Sequence, residues 1–176
     1  QAGNDRLEGA EGNDTIYAGA GDDFLIGNQG NDLLQGEDGN DVLVGAGESD
    51  FLFGGNGDDR LWVDSGQHAL SGNAGDDVLA GGSGRDLLLG GDGADYLSGA
   101  GGEDLLVGGR TAFDDSYAQL NLLFAAWAGT ASYAARVAQI SSDSYVSQLA
   151  LNKTVFDDSV ADQVYGGDGL DWFFRP

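Results

Sequence analysis

Aspartate recurs at a fixed interval along the chain. Asp5, Asp14, Asp23, Asp32, Asp41, Asp50, Asp59, Asp77, Asp86, Asp95 and Asp104 stand nine residues apart, with His68 filling the one gap in the series. The chain has no cysteine and a single histidine. Disulfides, thiolate metal sites, cysteine nucleophiles and a histidine-based zinc centre are therefore excluded. Carboxylate and carbonyl oxygens without nitrogen or sulfur donors select a hard cation, Ca²⁺ above others. Other chemistries lack their parts. His68 alone supports no Ser-His-Asp arrangement, and no HExxH, P-loop or dinucleotide fingerprint occurs. Paired acids such as Asp22-Asp23 need a cleft before they can cleave a glycoside. The expectation is a non-enzymatic chain, with any catalytic domain lying outside it.

Charge narrows the partners further. Across 176 residues, 30 acids face 7 Lys and Arg, giving a net charge of −23 and a pI near 4.1. Such a surface repels phosphate and anionic lipid, so nucleic acid is not an expected partner. The longest apolar run, 122–128, is too short to span a bilayer. No leader peptide is visible and the chain starts without Met, so Gln1 is expected to be internal to a longer protein.

The elements that position the aspartates follow from the same period. With Gly9 at position one, position four reads Gly3, Gly12, Gly21, Gly30, Gly39, Glu48, Gly57, Gly66, Gly75, Gly84, Gly93 and Gly102. Position six carries the aspartates. Position eight reads Leu7, Ile16, Leu25, Leu34, Leu43, Leu52, Leu61, Leu70, Leu79, Leu88, Leu97 and Leu106 without insertion or deletion. Three residues such as Phe24-Leu25-Ile26 form a short strand whose middle side chain points inward. The six residues between strands form a glycine-permitted turn. Two repeats make one coil of eighteen residues, so each repeat stacks on the next but one.

Stacking sets the aspartates in columns. At about 5 Å and an effective dielectric near 20, each like-charged pair repels by about 3 kcal/mol. A ladder of such pairs requires positive charge between its rungs. The alternative, a glycine-rich solenoid with solvated aspartates, leaves this repulsion unexplained.

Gly54-Gly55-Asn56-Gly57-Asp58-Asp59-Arg60-Leu61-Trp62 resembles the GGxGxDxUx nonapeptide of the RTX family, the hemolysin-type calcium-binding repeats. The resemblance covers 1–109 and returns at 157–174. It implies an all-β repeat fold, a right-handed parallel β-roll or β-helix solenoid, with several Ca²⁺ ions between successive turns. It also implies export by type I secretion, a secreted or cell-surface location, and folding on meeting calcium outside the cell. By the same resemblance the position-six aspartates, with Asp171 in a last repeat, supply side-chain ligands. Carbonyls of alternate turn residues, such as Gly19, Gly21, Gly55, Gly57, Gly82 and Gly84, supply the rest.

The pattern breaks in two places. The turn Val63-Asp64-Ser65-Gly66-Gln67-His68 loses its first glycine and its aspartate. It reads either as a cation-free rung or pH switch, or as a degenerate repeat whose strand still packs; the second is favoured. Glu48 in a glycine position predicts a reshaped turn. Discounting the rungs that His68 spoils leaves about eight ions.

Outward strand positions are unexpectedly apolar. Phe51, Phe53, Leu87, Leu89, Leu105 and Val107 fall on one sheet, and Phe24, Ile26, Val42 and Val44 on the other. Strand propensity is one explanation and docking of the C-terminal part another.

Residues 1–109 carry 3 Arg against 22 acids, net 3 − 22 = −19, with 28 of the 32 glycines; 110–176 read as ordinary globular sequence. Asp114, Asp115 or Ser116 is placed to cap a helix running to about Ala128 and ended by Gly129, with Tyr117, Leu120, Leu123, Phe124 and Trp127 on one face. A second helix starts at Thr130 or Ser132, burying Tyr133, Val137 and Ile140. A polar loop follows at 141–144, and 149–156 read as a strand. Thr111-Ala112-Phe113-Asp114-Asp115-Ser116 echoes Thr154-Val155-Phe156-Asp157-Asp158-Ser159, either as paired carboxylates for a special calcium site or as two flanks of an insertion. Asp162 and Val164 return to positions six and eight. Asp171-Trp172-Phe173-Phe174 is similar to the hydrophobic C-termini of type I substrates and equally suits an aromatic plug.

The expected division is 1–109 repeat roll, 110–156 helical insertion near the C-terminus, and 157–176 closing repeats. Two function classes remain. One is a calcium-dependent folding and secretion module of a larger exported protein, monomeric, with an upstream domain of the same polypeptide as a possible partner. The other is an adhesive or protein-interaction surface.

Overall fold

A single inward leucine per repeat must find partners from neighbouring coils, and in the computed structural model it does. The structure describes residues 2–111, 114, 116–132, 134–136, 138, 155–156, 162–169 and 172–174. Every position-eight leucine from Leu25 to Leu106 is buried, and together they form one continuous core flanked by Leu7, Ile16 and Val164.

Two parallel sheets face each other across that core. The first runs Arg6–Glu11, Phe24–Gln29, Val42–Val44, Arg60–Trp62, Val78–Ala80, Tyr96–Ser98 and Gln163–Tyr165. The second runs Thr15–Ala20, Leu33–Asp38, Phe51–Asn56, Ala69–Ala74, Leu87–Asp92 and Leu105–Thr111, which also pairs with Trp172–Phe174. Partners are eighteen residues apart, as in Leu25↔Leu43 and Leu34↔Leu52. Repeats therefore alternate between sheets, and the chain is a parallel β-roll.

The strands exceed the expected three residues throughout the second sheet. Pairing there continues into turn positions, as in Gly19↔Glu37 and Ala20↔Asp38. In the first sheet only the first two strands are long. From Val42 onward they shorten to three residues, and part of each turn joins a small third sheet, Ser65–Gly66, Ser83–Gly84 and Gly101–Gly102. The change begins at the turn holding Glu48. There Gly47 at position three is left-handed, φ 119°, where most other repeats have left-handed residues at positions two and four, so the turn is reshaped as expected.

The roll resumes after its interruption. Tyr96 pairs with Gln163 and Leu105 with Trp172, each 67 residues on where 18 is the rule. The difference, 67 − 18 = 49 residues, is inserted without a change of register. Helix α1, Tyr117–Trp127, lies on the outward face of the second sheet. Leu120, Leu123, Phe124 and Trp127 join Phe51, Phe53, Leu87, Leu89, Leu105 and Val107 in a second core. Tyr117 stays 43% exposed yet stacks edge-on against Phe51, 4.9 Å between centroids.

Ser116 is the N-cap residue but makes no side-chain capping bond. Asp114 instead accepts from the N–H and hydroxyl of Thr111, at 2.7 and 2.5 Å. Ala134–136 are helical and Ser132 accepts the N–H of Ala135, whereas Tyr133, Val137, Ile140 and the loop at 141–144 lie outside the described residues. Of the strand expected over 149–156, Val155–Phe156 is described. It pairs antiparallel with Arg110 and Thr111, so the two echoing segments meet as flanks of the insertion. Asp115, Asp157 and Asp158 are outside the described residues. Among the described helices none is long and apolar enough to cross a membrane.

Candidate metal centre

The turns line the two long edges of the roll. Turns entering the first sheet place Asp5, Asp23, Asp41, Asp59, Asp77, Asp95 and Asp162 in one column, the unbroken edge. Turns entering the second place Asp14, Asp32, Asp50, His68, Asp86 and Asp104 in the other, the broken edge.

Within each column the side chain reaches back one coil. Asp23 Oδ1 accepts the N–H of Asp5 at 2.6 Å, Asp41 that of Asp23, Asp59 that of Asp41, and Asp77 that of Asp59. Asp95 accepts from Asp77, and Asp162 from Asp95 at 3.1 Å across the insertion. The broken edge repeats the pattern at Asp14–Asp32, Asp32–Asp50 and Asp86–Asp104. Position-five side chains on the unbroken edge reach the opposite way. Asn4, Asp22, Asn40, Asp58 and Asp76 each accept the N–H one coil later, at 2.8–3.0 Å. Adjacent coils are thus clamped from both directions. From Asp23 onward, half of each position-six carboxylate is satisfied by an N–H, which stacked bare charges do not allow for.

The other half is not satisfied. Oδ2 of Asp5, Asp14, Asp23, Asp32, Asp41, Asp59, Asp77 and Asp86 is buried with no hydrogen-bond partner. Burial pushes the Asp59, Asp77 and Asp86 carboxyls up to about 7, against the pull of the N–H each accepts. Asp32 and Asp41 are raised by the same cause. A column of buried oxygens that resists ionisation fits a divalent cation, which supplies the missing charge and fills the missing lone-pair contacts. Among the described residues no three His, Asp or Glu side chains converge on one point.

The glycines explain how the carboxylate fits. A Cβ at Gly36 would lie 2.1 Å from Asp41 Oδ2, one at Gly54 2.2 Å from Asp59 Oδ2, and one at Gly72 2.2 Å from Asp77 Oδ2. Where position one is glycine, the missing side chain is the space that the position-six aspartate occupies; Ala18, ahead of Asp23, is the exception. Gly108 keeps this relation with Asp162, 2.3 Å from its Oδ2, although the insertion lies between them. Position four is tight for another reason. Its Cα sits against the position-four carbonyl of the coil before, with Gly21 O 2.1 Å from a Cβ at Gly39 and Gly57 O 2.1 Å from one at Gly75.

The expected carbonyl ligands are placed as follows. Gly19, Gly21, Gly55, Gly57, Gly82 and Gly84 all adopt positive φ. Gly82 O accepts the N–H of Gly101 at 2.8 Å, within the third sheet. Position two is left-handed in most repeats even where it is not glycine, with Ala10, Asn28, Glu37, Asn73 and Ala100 at φ 67–94°; Ala46 and Asp64 are the non-glycine exceptions. Asp171 lies outside the described residues.

His68 takes over a rung. Its Nδ1 accepts the N–H of Asp50 at 3.1 Å, and its own N–H goes to Asp86 Oδ1 at 2.8 Å. The shorter contact makes Nδ1 an acceptor in the neutral ring; Asp50 Oδ2 lies 3.4 Å from the same nitrogen. Burial disfavours that protonation, but the hydrogen bond to Asp50 and the charges of Asp86 and Asp50 outweigh it and raise the pKa. Nε2 lies under Gly66, away from the position-one site, and Val63 is buried in the leucine core. Loss of glycine at 63 and of aspartate at 68 is one structural event.

Two arginines that sequence reasoning passed over tie the insertion to the broken edge. Arg85 donates to the carbonyls of Ala128 and Gly129 at the end of α1. Arg136, 3% exposed, pairs with Glu103 and lies 5.2 Å over the Trp127 ring. At the other end, Ser71 and Asn73 donate to Asp114 O.

No curated protein matches the chain. The family model for the RTX calcium-binding nonapeptide repeat matches residues 1–34, 35–67 and 71–110, which carry both columns apart from His68 and Asp162. With its buried aspartates, its glycine cradles and that match in agreement, the chain belongs to the RTX calcium-binding nonapeptide repeat family.

Proposed function

We propose that this chain is a calcium-driven folding module of a larger exported protein. The observation that carries the reading is the column of buried, partnerless Oδ2 atoms over a core one leucine deep. Without cations those carboxylates oppose the stacking that buries the leucines. In a compartment poor in calcium the chain stays open, and millimolar calcium outside the cell closes it. RTX repeats occur in type I-secreted extracellular proteins, which supports both the route and the location. The position-six aspartates Asp5 to Asp104, with carbonyls such as Gly21 and Gly57, are the ligands in this reading. Asp5–Asp23, Asp14–Asp32, Asp23–Asp41, Asp32–Asp50, Asp41–Asp59, Asp59–Asp77, Asp77–Asp95 and Asp86–Asp104 give about eight rungs, and Asp95–Asp162 adds a further one across the insertion. The insertion, 110–156, acts as a cover for the second sheet. Catalysis, where the whole protein has any, belongs to other parts of it.

Calcium titration followed by circular dichroism and small-angle scattering tests the reading. The expected result is a cooperative gain of β signal with a fall in radius of gyration. A compact, β-rich chain in excess chelator at pH 8 would falsify it.

A further inference from the structure

The outward faces of the two large sheets have different fates. The second is closed by α1. On the first, Trp62 is 40%, Tyr96 42% and Tyr165 53% exposed, and Tyr96 and Tyr165 lie 5.5 Å apart between ring centroids. Ala80 and Ser98 lie between Trp62 and Tyr165 in one row, so small side chains floor a shallow trough between larger rings. Arg6, which pairs with Glu8, and Arg60 also face outward here, and Glu8 and Glu11 on the first strand are the acids in the strands of this sheet among the described residues. In a chain of net charge −23, carboxylates are sparse on this strip beyond its first strand.

Dimensions and charge decide what fits. Seven strands at about 4.8 Å and three residues of width give a strip of about 29 by 10 Å. That is about 290 Å², well short of the about 800 Å² per partner of a stable protein interface, so a second copy of this chain is not the occupant. A peptide that adds as a strand needs an open sheet edge, and a face offers none. A polyanion meets an aspartate column on either side.

A narrow, flat strip of aromatic rings with guanidinium, amide and hydroxyl groups suits an extended sugar polymer. Its pyranose faces stack on the rings, its hydroxyls meet the polar groups, and its residue spacing is close to that of paired strands. We propose that the outward face of the first sheet binds an extended, neutral glycan laid along the axis of the roll.

Affinity electrophoresis of the calcium-loaded chain tests this, in gels containing hydroxyethyl cellulose or its anionic counterpart, carboxymethyl cellulose. Retardation by hydroxyethyl cellulose is expected, with weaker retardation by the carboxymethyl form. Trp62→Ala and Tyr165→Ala should each lower the association constant about tenfold while the calcium-loaded circular dichroism stays unchanged. Tyr17→Ala, an exposed ring on the second sheet, should bind as the parent does. Absence of retardation in the neutral gel overturns the proposal, as does retardation that both aromatic variants retain or that the anionic polymer exceeds. A dimer in sedimentation that Trp62→Ala dissolves would overturn it in favour of a contact between copies. Because folding is read separately by circular dichroism, failure here is distinguishable from failure of the calcium reading.

Discussion

The two edges of the roll solve the same stacking problem by different means. On the unbroken edge every coil from Asp5 to Asp162 presents a position-six carboxylate, backed over most of its length by an oppositely directed column at position five. The broken edge keeps that design for its first coils and then departs from it. There Glu48 shifts the turn, His68 supplies a hydrogen bond in place of a carboxylate, and Ser83 and Gly101 donate N–H groups to the carbonyls of Asp64 and Gly82. Arg85 and Arg136 bring positive charge of their own and carry the insertion with them. Coils can thus be held together by carboxylates that need a cation, or by backbone pairing and an imidazole able to carry the charge between Asp50 and Asp86. The difference implies that calcium dependence is unevenly distributed over one continuous fold.

Substitution at equivalent positions of the two edges sharpens this contrast most. Asp59→Ala removes the partner of Asp41 and an oxygen from two rungs of the unbroken edge. With calcium a hundredfold above its dissociation constant, losing two bound ions costs about 5 kcal/mol. His68→Ala should lose packing and one hydrogen bond but no ion. Denaturation at several calcium concentrations separates them. A calcium-dependent loss in both variants, or in neither, breaks the comparison.

Next in size is the cover. Trp127 is fully buried between α1 and the second sheet, and Trp127→Ala should cost about 3–5 kcal/mol. The calcium-loaded melting temperature falls and oligomers form through the uncovered apolar face, while the bound calcium count is unchanged. A variant as stable and monomeric as the parent would make α1 an independent appendage.

A smaller effect tests the coupling of positions one and six. His68→Asp alone brings a carboxylate against the Val63 side chain and should destabilise the roll without adding an ion. Val63→Gly with His68→Asp restores the cradle seen at Gly54 and Asp59, and equilibrium dialysis should then find up to two additional ions, about 2.7 kcal/mol each at a hundredfold excess. Equal ion counts in the single and double variants would contradict the coupling.

The smallest effect is a pH dependence. In the cation-free roll Asp59, Asp77 and Asp86 hold their protons up to about 7, against 3.8 for the free carboxyl. Folded pKa values above the unfolded ones give stability that is complete below 3.8 and lost as pH rises through about 7. In chelator, the β signal should therefore rise as pH falls from 8 toward 4, and the calcium needed at pH 6 should exceed that at pH 8. A β signal in chelator that falls with acid would reverse the sign.

Much of this was legible along the chain because a coil of two equal repeats turns sequence period into spatial register. Leucine at position eight, aspartate at position six and the apolar face of α1 are each one-dimensional patterns, and the fold places them as read. Features that act across coils were not legible in that way. The opposed hydrogen-bond ladders depend on side-chain direction, which a period of nine leaves open. Left-handed backbone at Glu37 and Asn73 is imposed by neighbouring coils on residues that do not ask for it. Arg136 reads as a surface residue until Glu103 and Trp127 close on it. The Val63 and His68 pair did leave a trace, since glycine and aspartate vanish from the same turn. Its meaning required knowing how closely position one lies against Oδ2 at position six, as at Gly54 and Asp59.

The most direct test of the central claim is to locate the ions. Crystals of the calcium-loaded chain, with calcium placed by anomalous scattering, should show cations beside Oδ2 along the whole unbroken edge, from Asp5 to Asp95. On the broken edge they should appear at the Asp14–Asp32, Asp32–Asp50 and Asp86–Asp104 rungs, with none between Asp50 and His68 or between His68 and Asp86. Ions at the two His68 rungs, or an unbroken edge without them, would contradict the account.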